Sequence, residues 1–449
     1  MSSKKEMDMT KGPVLSQLTK FALPVLFGML FQRIYNFADA YIVGYYLGDE
    51  ALAAVSIAGT VMFLMMSINL GVTTGVGVVI SQFYGAGKQE EIRHSFTAGT
   101  VIAICAVILF TLGGIFTTEP TLRLMQTSDE LLLPASQYLK MIYVGCCGTM
   151  LYNFSAAVLR AVGNTVIPLI FLIVSSVLNI ILDIAFVAWI PLGVSGAALA
   201  TVLAQLISGM LCMIYAYRIL PFIRVKRGEW KPKAHLVKEI LRYGIPAALQ
   251  MSIISISDMT LQAVVNTYGT AMIVAYGVCL KVEGVGWQIV EAIGSAVATF
   301  TGQNVGAGNM QRVKKGIRSA YLLNFIACGI YGIVVFVFST EIMRVFTDTK
   351  EAIHLGTEYM RIFSCFFLAG GILGIFQNFL RSAGDVLFTV LMGVSEVITR
   401  IGLALFLPAV VGYVGLWFVS PITWVAAAFV GGVRYHSNTW EKKAQKVAM

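Results

Sequence analysis

The sequence predicts an all-α polytopic membrane protein with twelve transmembrane helices in two six-helix bundles. Three observations support this fold class. Of the 449 residues, 57% are hydrophobic and 12% are charged, and soluble domains carry about 25% charged residues. The apolar residues form segments long enough to cross a bilayer, which takes about 20 residues. The second half of the chain also repeats motifs of the first half at one fixed spacing.

Twelve apolar segments can be placed in order, with most of the basic residues between them. They cover residues 17–46, 52–82, 92–116, 133–158, 165–189, 194–218, 236–267, 271–301, 314–339, 355–380, 386–408 and 412–435. An even number of crossings returns the chain to the side on which it began. We therefore expect both termini on one side of the membrane.

Lysine and arginine indicate which side that is, because cytoplasmic loops are enriched in them. The linker from Arg218 to Arg242 holds eight, and the opposite loops hold only Arg123, Arg344 and Lys350. We expect a multi-pass protein of the plasma (cytoplasmic) membrane with both termini in the cytoplasm. The net charge of +9 is then explained by basic residues on the cytoplasmic loops rather than by a nucleic-acid interface. The seven cysteines and four histidines show no disulfide or metal spacing, and we expect no cofactor.

Two pairs of motifs define an internal repeat. SQFYGAGKQEEIRHS at 81–95 matches GQNVGAGNMQRVKKG at 302–316, and LRAVGNT at 159–165 matches LRSAGDV at 380–386. Both pairs are 221 residues apart. We expect an N-lobe at 1–218, a cytoplasmic linker at 219–235 and a C-lobe at 236–449. Repeats of six helices share one orientation, so a pseudo-two-fold axis should run along the membrane normal.

Polar side chains of three different segments fall at one depth in the first repeat. Counted from the nearest outer loop, Asp39, Asp183 and Thr201 all lie eight or nine residues into the membrane, which is about 12–14 Å at 1.5 Å per residue. Asn179 precedes Asp183 by four residues, so both project from one helix face. Gln32 and Tyr35 lie near the Asp39 face and would line the same cavity.

Intramembrane carboxylates usually mark transport pathways, because burying such a charge is costly. Oxygen atoms from two carboxylates, an amide and a hydroxyl suit a shared proton or a small cation such as Na⁺. The plainer alternative is structural: Asp183 bonds locally, Asp39 stabilises a kink, and Asn179 with Thr201 joins two helices.

The second repeat lacks a copy of this set. At the spacing of 221 residues, Asn179 aligns with Arg400 and Asp183 aligns with Ala404. Asp258, Lys281 and Glu283 are candidates for a substrate cavity. Glu396 precedes Arg400 by four residues, which favours an ion pair within one helix.

At this point the residues are similar to those of a known family. The proline-kinked first segment with Asp39 and GYYLG, the paired Gln-x-x-Gly-Ala-Gly loops, and LRAVGNT with LRSAGDV resemble the multidrug and toxic compound extrusion (MATE) family, in its DinF-like branch. The resemblance implies that Asp39 and Asp183 bind the coupling proton or sodium ion, with Asn179 and Thr201 as co-ligands. Tyr138 and Asn153 match further polar positions of that lobe.

The resemblance also implies a function. The protein would be a secondary active antiporter, and not an enzyme, that exports organic cations or amphipathic drugs in exchange for H⁺ or Na⁺. Its two lobes would alternate access to the substrate, and it would act as a monomer among membrane lipids. A lipid-linked oligosaccharide flippase and a membrane-embedded transferase remain as alternatives. The flippase would need a more cationic cavity, and the transferase would need metal-binding acids or a catalytic histidine.

Overall fold

The computed structural model describes residues 7–226 and 228–448. Lys4, Lys5 and Arg227, part of the expected cytoplasmic charge, and the first six residues of the expected N-lobe lie outside that range. The described chain is helical: α1 Val14–Leu47, α2 Asp49–Gly85, α3 Gln89–Leu124, α4 Asp129–Val144, α5 Cys146–Ala161, α6 Val166–Asp183, α7 Val194–Ile219, α8 Ala234–Asn266, α9 Thr270–Gly306, α10 Met310–Phe346, α11 Lys350–Ser382, α12 Val386–Val411, α13 Val414–His436 and α14 Thr439–Ala448.

The predicted membrane helices are present. Eleven described helices are long and apolar enough to cross a bilayer, and α4 with α5 forms a twelfth candidate that is bent by 46°. The all-α polytopic fold class is therefore confirmed. The structure adds three short elements at helix ends: a π-helical segment over Ile184–Trp189, a 3₁₀ turn over Pro221–Ile223, and the short helix α14.

The bend between α4 and α5 lies at Gly145, where another helix comes very close. A Cβ atom on Gly145 would lie 2.0 Å from Cγ2 of Val202 on α7. Farther along α5, a Cβ atom on Gly148 would lie 2.8 Å from the backbone nitrogen of Leu206. Small residues let membrane helices approach closely, because lipid supplies no hydrophobic force between them. The glycines thus hold the bent span against α7.

The described chain forms two compact units whose limits do not follow the sequence repeats. The first unit contains Phe27–Ala248, and the second contains Met9–Leu26 together with residues 249–448. The two changes of unit that fall within helices each occur two residues after a proline: Pro24 in α1 and Pro246 in α8. A proline removes one backbone hydrogen bond and bends the helix, so these are natural points of division. The expected lobe boundaries at 218 and 236 stay a prediction.

In the second unit, the segment before α1 is held by the Gly-Ala-Gly turn between α9 and α10. Met9 is completely buried. Its backbone N–H donates to Oε1 of Gln303 at 2.9 Å, and its carbonyl accepts from Nδ2 of Asn304 at 3.1 Å and Nε of Arg312 at 3.0 Å. Gly308 in this turn has a φ of 71°, a conformation that favours glycine.

In the first unit, the segment before α8 contacts the matching turn between α2 and α3. Arg93 and Glu229 form a salt bridge of 2.7 Å, and Lys233 and Glu91 form one of 3.1 Å. The backbone N–H of Lys226 and the guanidinium of Arg93 both lower the pKa of Glu229. The leading segment of each sequence repeat therefore contacts the glycine turn of the other repeat.

We expect Gly145→Ala to lower the apparent melting temperature in detergent. The added methyl group overlaps Val202, and overpacking of this kind costs about 1–3 kcal/mol. Gly113→Ala is the matched control, because a Cβ there meets nothing within 4 Å. Alanine is also the better helix former by roughly 1 kcal/mol, so the control should melt at the same or a higher temperature. Equal melting temperatures for the two variants would contradict the assigned role of Gly145.

Candidate functional site

The first unit brings Asp39 and Asp183 together. Asp39 lies on α1, Asp183 is the last residue of α6, and their carboxyl groups interact directly. Asp183 is completely buried. Immediately after it the helix widens into the π-helical segment Ile184–Trp189. Such segments are rare and occur frequently at functional sites.

Asn179 on α6 and Thr201 on α7 form a hydrogen-bonded polar pair. The amide nitrogen Nδ2 of Asn179 donates to the hydroxyl of Thr201 at 3.3 Å, which joins α6 to α7. Asn179 precedes Asp183 by one turn of α6, so the two side chains share a face. The depth counting thus placed side chains of α1, α6 and α7 at one level, and the structure shows contacts between them. Their role in ion binding stays a prediction.

Several oxygen atoms of this cluster have no hydrogen-bond donor among the described residues. They are Oδ1 of Asp39, Oδ1 of Asn179, and both carboxylate oxygens of Asp183. Two neighbouring carboxylates cannot both stay charged in a poorly hydrated site without a compensating positive charge. A proton shared by the pair would form a hydrogen bond between them, and a small cation would satisfy all of these oxygens. The arrangement is therefore suited to reversible uptake of one positive charge.

Two tyrosines predicted for the cavity lie near the two acids. Tyr35 interacts with Gln32 and is within electrostatic range of both Asp39 and Asp183. Tyr138 on α4 is close enough to interact electrostatically with both acids and with Tyr35. The structure therefore places Tyr35 and Tyr138 near the carboxyl pair, and Gln32 is linked to the pair through Tyr35.

Gln205 belongs to the same cluster and was missed by the sequence analysis. It interacts with Tyr35, and its Oε1 accepts a short hydrogen bond from the hydroxyl of Thr149. Its signal was available, because Gln205 lies one turn after Thr201 on an otherwise apolar helix. Asn153 behaves differently: its amide donates to the carbonyl of Thr149 at 3.0 Å, within its own helix, rather than to the acids.

In the second unit, Glu283 is a fully bonded carboxylate. Its Oε1 accepts from Nε1 of Trp287 at 3.1 Å, and its Oε2 accepts from the hydroxyl of Tyr359 at 2.8 Å. Lys281 lies only two residues away on α9 but contacts Phe346, with Nζ 5.6 Å from the ring centroid. Positions two apart on a helix do not share a face. The structure therefore does not bring Lys281 and Glu283 together.

Arg400 joins two acids of the second unit. Its Nη2 lies 3.1 Å from Oε1 of Glu396, the ion pair that the spacing of four residues indicated. Its Nη1 pairs with Oδ1 of Asp258. The guanidinium thus compensates both carboxylates. Arg400 occupies the position that aligns with Asn179 of the first repeat.

The MatE family model matches this chain twice, over residues 24–185 and residues 246–406. The chain belongs to the MATE family. Each match covers one sequence repeat, which agrees with the duplication that the motifs indicated. MATE proteins are transporters, so the chain is a transporter and not an enzyme. Its place in the DinF-like branch stays a prediction.

Several curated relatives share nearly the full length of this MATE protein. The "Probable multidrug resistance protein YpnP" of Bacillus subtilis strain 168 is 28% identical over 446 residues, 99% of each chain. The "Probable multidrug resistance protein NorM" of Thermotoga maritima is 24% identical over 438 residues, 96% of this chain and 94% of its own. "Multidrug export protein MepA" of Staphylococcus aureus strain MRSA252 is 24% identical over 90% of each chain.

Solved structures of the family share the fold. One is an outward-facing multidrug resistance MATE transporter of the MOP superfamily, with a TM-score of 0.91, 20% identity, and coverage of 98% of this chain and 100% of that one. Another is a MOP superfamily transporter from Pyrococcus furiosus, which is described as having a binding pocket of reverse polarity. It has a TM-score of 0.91, 19% identity and full coverage of both chains.

We expect Arg400→Met to destabilise this MATE protein strongly. The change leaves Glu396 and Asp258 without their shared cation, and breaking a buried ion pair costs about 3–5 kcal/mol. Lys281→Met is the matched control, because an exposed cation–π contact contributes only about 0.5–1 kcal/mol. Unfolding in increasing SDS, followed by tryptophan fluorescence, compares the two variants. If both variants unfolded at the same SDS concentration, Arg400 would not be compensating the two acids.

Proposed function

We propose that this MATE protein is a secondary active antiporter that exports organic cations or amphipathic drugs in exchange for H⁺ or Na⁺. The observation that carries the proposal is the buried Asp39–Asp183 pair, whose oxygens lack hydrogen-bond donors among the described residues. The relatives are named multidrug resistance and multidrug export proteins, which supports drugs as the substrate class. The proposed transport requires no cofactor, and the coupling ion is itself transported rather than held as a resident group.

The coupling step follows from the electrostatics of the pair. When Asp39 and Asp183 share no cation, their negative charge disfavours a closed, dry site. Uptake of a proton or Na⁺ neutralises the cluster, and Asn179 with Thr201 supplies neutral oxygen ligands to the cation. A membrane potential that is negative inside favours this uptake, with a free energy of about 2.3 kcal/mol per charge per 100 mV.

Pro24 in α1 offers a way to transmit the change of charge at Asp39 along the helix. α1 carries Asp39 in the first unit, while its residues before Phe27 pack in the second unit. A proline-bent helix can change its angle with few broken hydrogen bonds, because one is already missing. Neutralising Asp39 would alter how the outer half of α1 packs against α6 and thereby lower the affinity for the drug.

The second repeat supports coupling at a single site. Arg400 supplies a permanent positive charge to Asp258 and Glu396, so this set has less need of a free cation. Glu283 is already bonded by Trp287 and Tyr359. Asp258, whose side chain is more than half exposed, is the acid of this set that can also contact a cationic drug.

The flippase alternative gains no support from these contacts. Recognition of a pyrophosphate-linked lipid requires unpaired cations in the cavity. Of the candidate cavity cations, Arg400 is neutralised by Asp258 and Glu396 and Lys281 contacts the ring of Phe346, which leaves only Arg33 for a pyrophosphate. We propose further that the protein works as a monomer with both termini in the cytoplasm, as the distribution of lysine and arginine indicates.

We expect Asp39→Asn to reduce ion-driven drug efflux at least tenfold, because the amide cannot exchange a charge. The measurement is uptake of a fluorescent organic cation into inverted membrane vesicles, with proton and sodium gradients imposed separately. Asp49→Asn is the control, since Asp49 is exposed at the start of α2. Efflux by the Asp39→Asn variant that still followed either gradient would rule out the proposed coupling site. The gradient that drives the wild type identifies the coupling ion.

A further inference from the structure

The two repeats differ in one ion pair near the outer ends of their helices. In the first repeat, Nζ of Lys140 lies 3.2 Å from Oε1 of Glu119. At the spacing of 221 residues, Lys140 aligns with Arg361 and Glu119 aligns with Thr340. The second repeat has kept the cation and replaced its carboxylate with a hydroxyl.

Arg361 has no salt bridge to any described carboxylate. Its Nε donates to the hydroxyl of Ser339 at 3.2 Å, and its guanidinium lies 5.8 Å from the ring centroid of Phe336. These two contacts fix the plane of the guanidinium and leave its two Nη groups for another acceptor. A paired, planar donor edge of this kind matches the oxygens of a phosphate group.

Arg361 opens onto a cavity of about 400 Å³ between α10 and α11. Lys350, His354 and Glu358 also line it, all on one face of α11, with Thr340 opposite. Lys350 has no carboxylate partner in the described part of the chain. Glu358 accepts from the hydroxyl of Tyr413 at 3.2 Å and lies 3.9 Å from His354. The cavity therefore presents two free cations and one carboxylate.

The position of Arg361 along its helix matches the level of lipid headgroups. Arg361 precedes Arg381 by 20 residues on the continuous helix α11, and 20 residues span about 30 Å. The hydrocarbon core of a bilayer is also about 30 Å thick. Because Arg381 lies near the α11–α12 turn, Arg361 lies at the opposite membrane surface, where phosphate groups are concentrated.

We propose that this cavity binds the phosphate group of a zwitterionic aminophospholipid. The Nη groups of Arg361 and the ammonium of Lys350 contact the phosphate oxygens. Glu358 faces the headgroup ammonium. A purely anionic ligand would leave the Glu358 carboxylate without a positive partner. The site lies wholly in the second unit and uses no residue of the Asp39 cluster, so it does not depend on the proposed transport cycle.

The test uses purified full-length protein and phosphatidylethanolamine added in detergent. Retention of the lipid is followed by native mass spectrometry, and the apparent melting temperature is followed in parallel. Arg361→Gln should retain the lipid about tenfold less well, because it loses a charge-assisted pair. Thr340→Glu should do the same, because it rebuilds the internal pair of the first repeat and occupies Arg361.

Lys140→Gln is the matched control, because it removes the aligned cation of the first repeat, which Glu119 already neutralises. It should retain the lipid as the wild type does. Equal retention by the wild type, Arg361→Gln and Thr340→Glu would overturn the proposal. Inorganic phosphate alone forms a second arm: a melting shift that depends on Arg361, without Arg361-dependent retention of the lipid, would overturn the lipid as the source of the phosphate.

Discussion

The structure of the first unit depends on one costly arrangement, two carboxyl groups buried side by side at the level of the membrane. Asp39 and Asp183 interact directly, and three of their four carboxylate oxygens have no donor among the described residues. Buried polar groups are almost always hydrogen-bonded, and the exceptions call for an explanation. Tyr35 and Tyr138 lie near the pair but donate no hydrogen bond to these three oxygens.

The second unit faces the same difficulty and resolves it within the chain. Arg400 stands at the position that aligns with Asn179, and it compensates Glu396 and Asp258. One duplicated scaffold thus contains an acid pair without a basic partner among the described residues in the first unit, and acids with a fixed cation in the second. A further pair of aligned positions also differs: Lys140 pairs with Glu119, whereas Thr340 takes the place of that carboxylate near Arg361. Substitutions at aligned positions therefore give the two repeats different electrostatics.

The sequence predicted the helices and most of the first-unit cluster, because both depend on distances along single helices. Segment length placed the spans, and depth counting placed Asp183 and Thr201 at the level of Asp39. One omission, Gln205, had a signal in the sequence. The close approach of Val202 to Gly145 joins residues distant in the chain and has no local pattern. Lys281 and Glu283 are two residues apart on α9, so they do not share a helix face.

The contact between Met9 and Gln303 has a consequence for biosynthesis. The two residues are 294 positions apart in sequence, and ribosomes add about 5–20 residues per second. The segment before α1 therefore waits roughly 15–60 s before its partner is made. During that interval Met9 and the start of α1 remain unpaired. The first half of the protein cannot complete this contact, and its leading segment is exposed to chaperones or membrane insertases until the second half emerges.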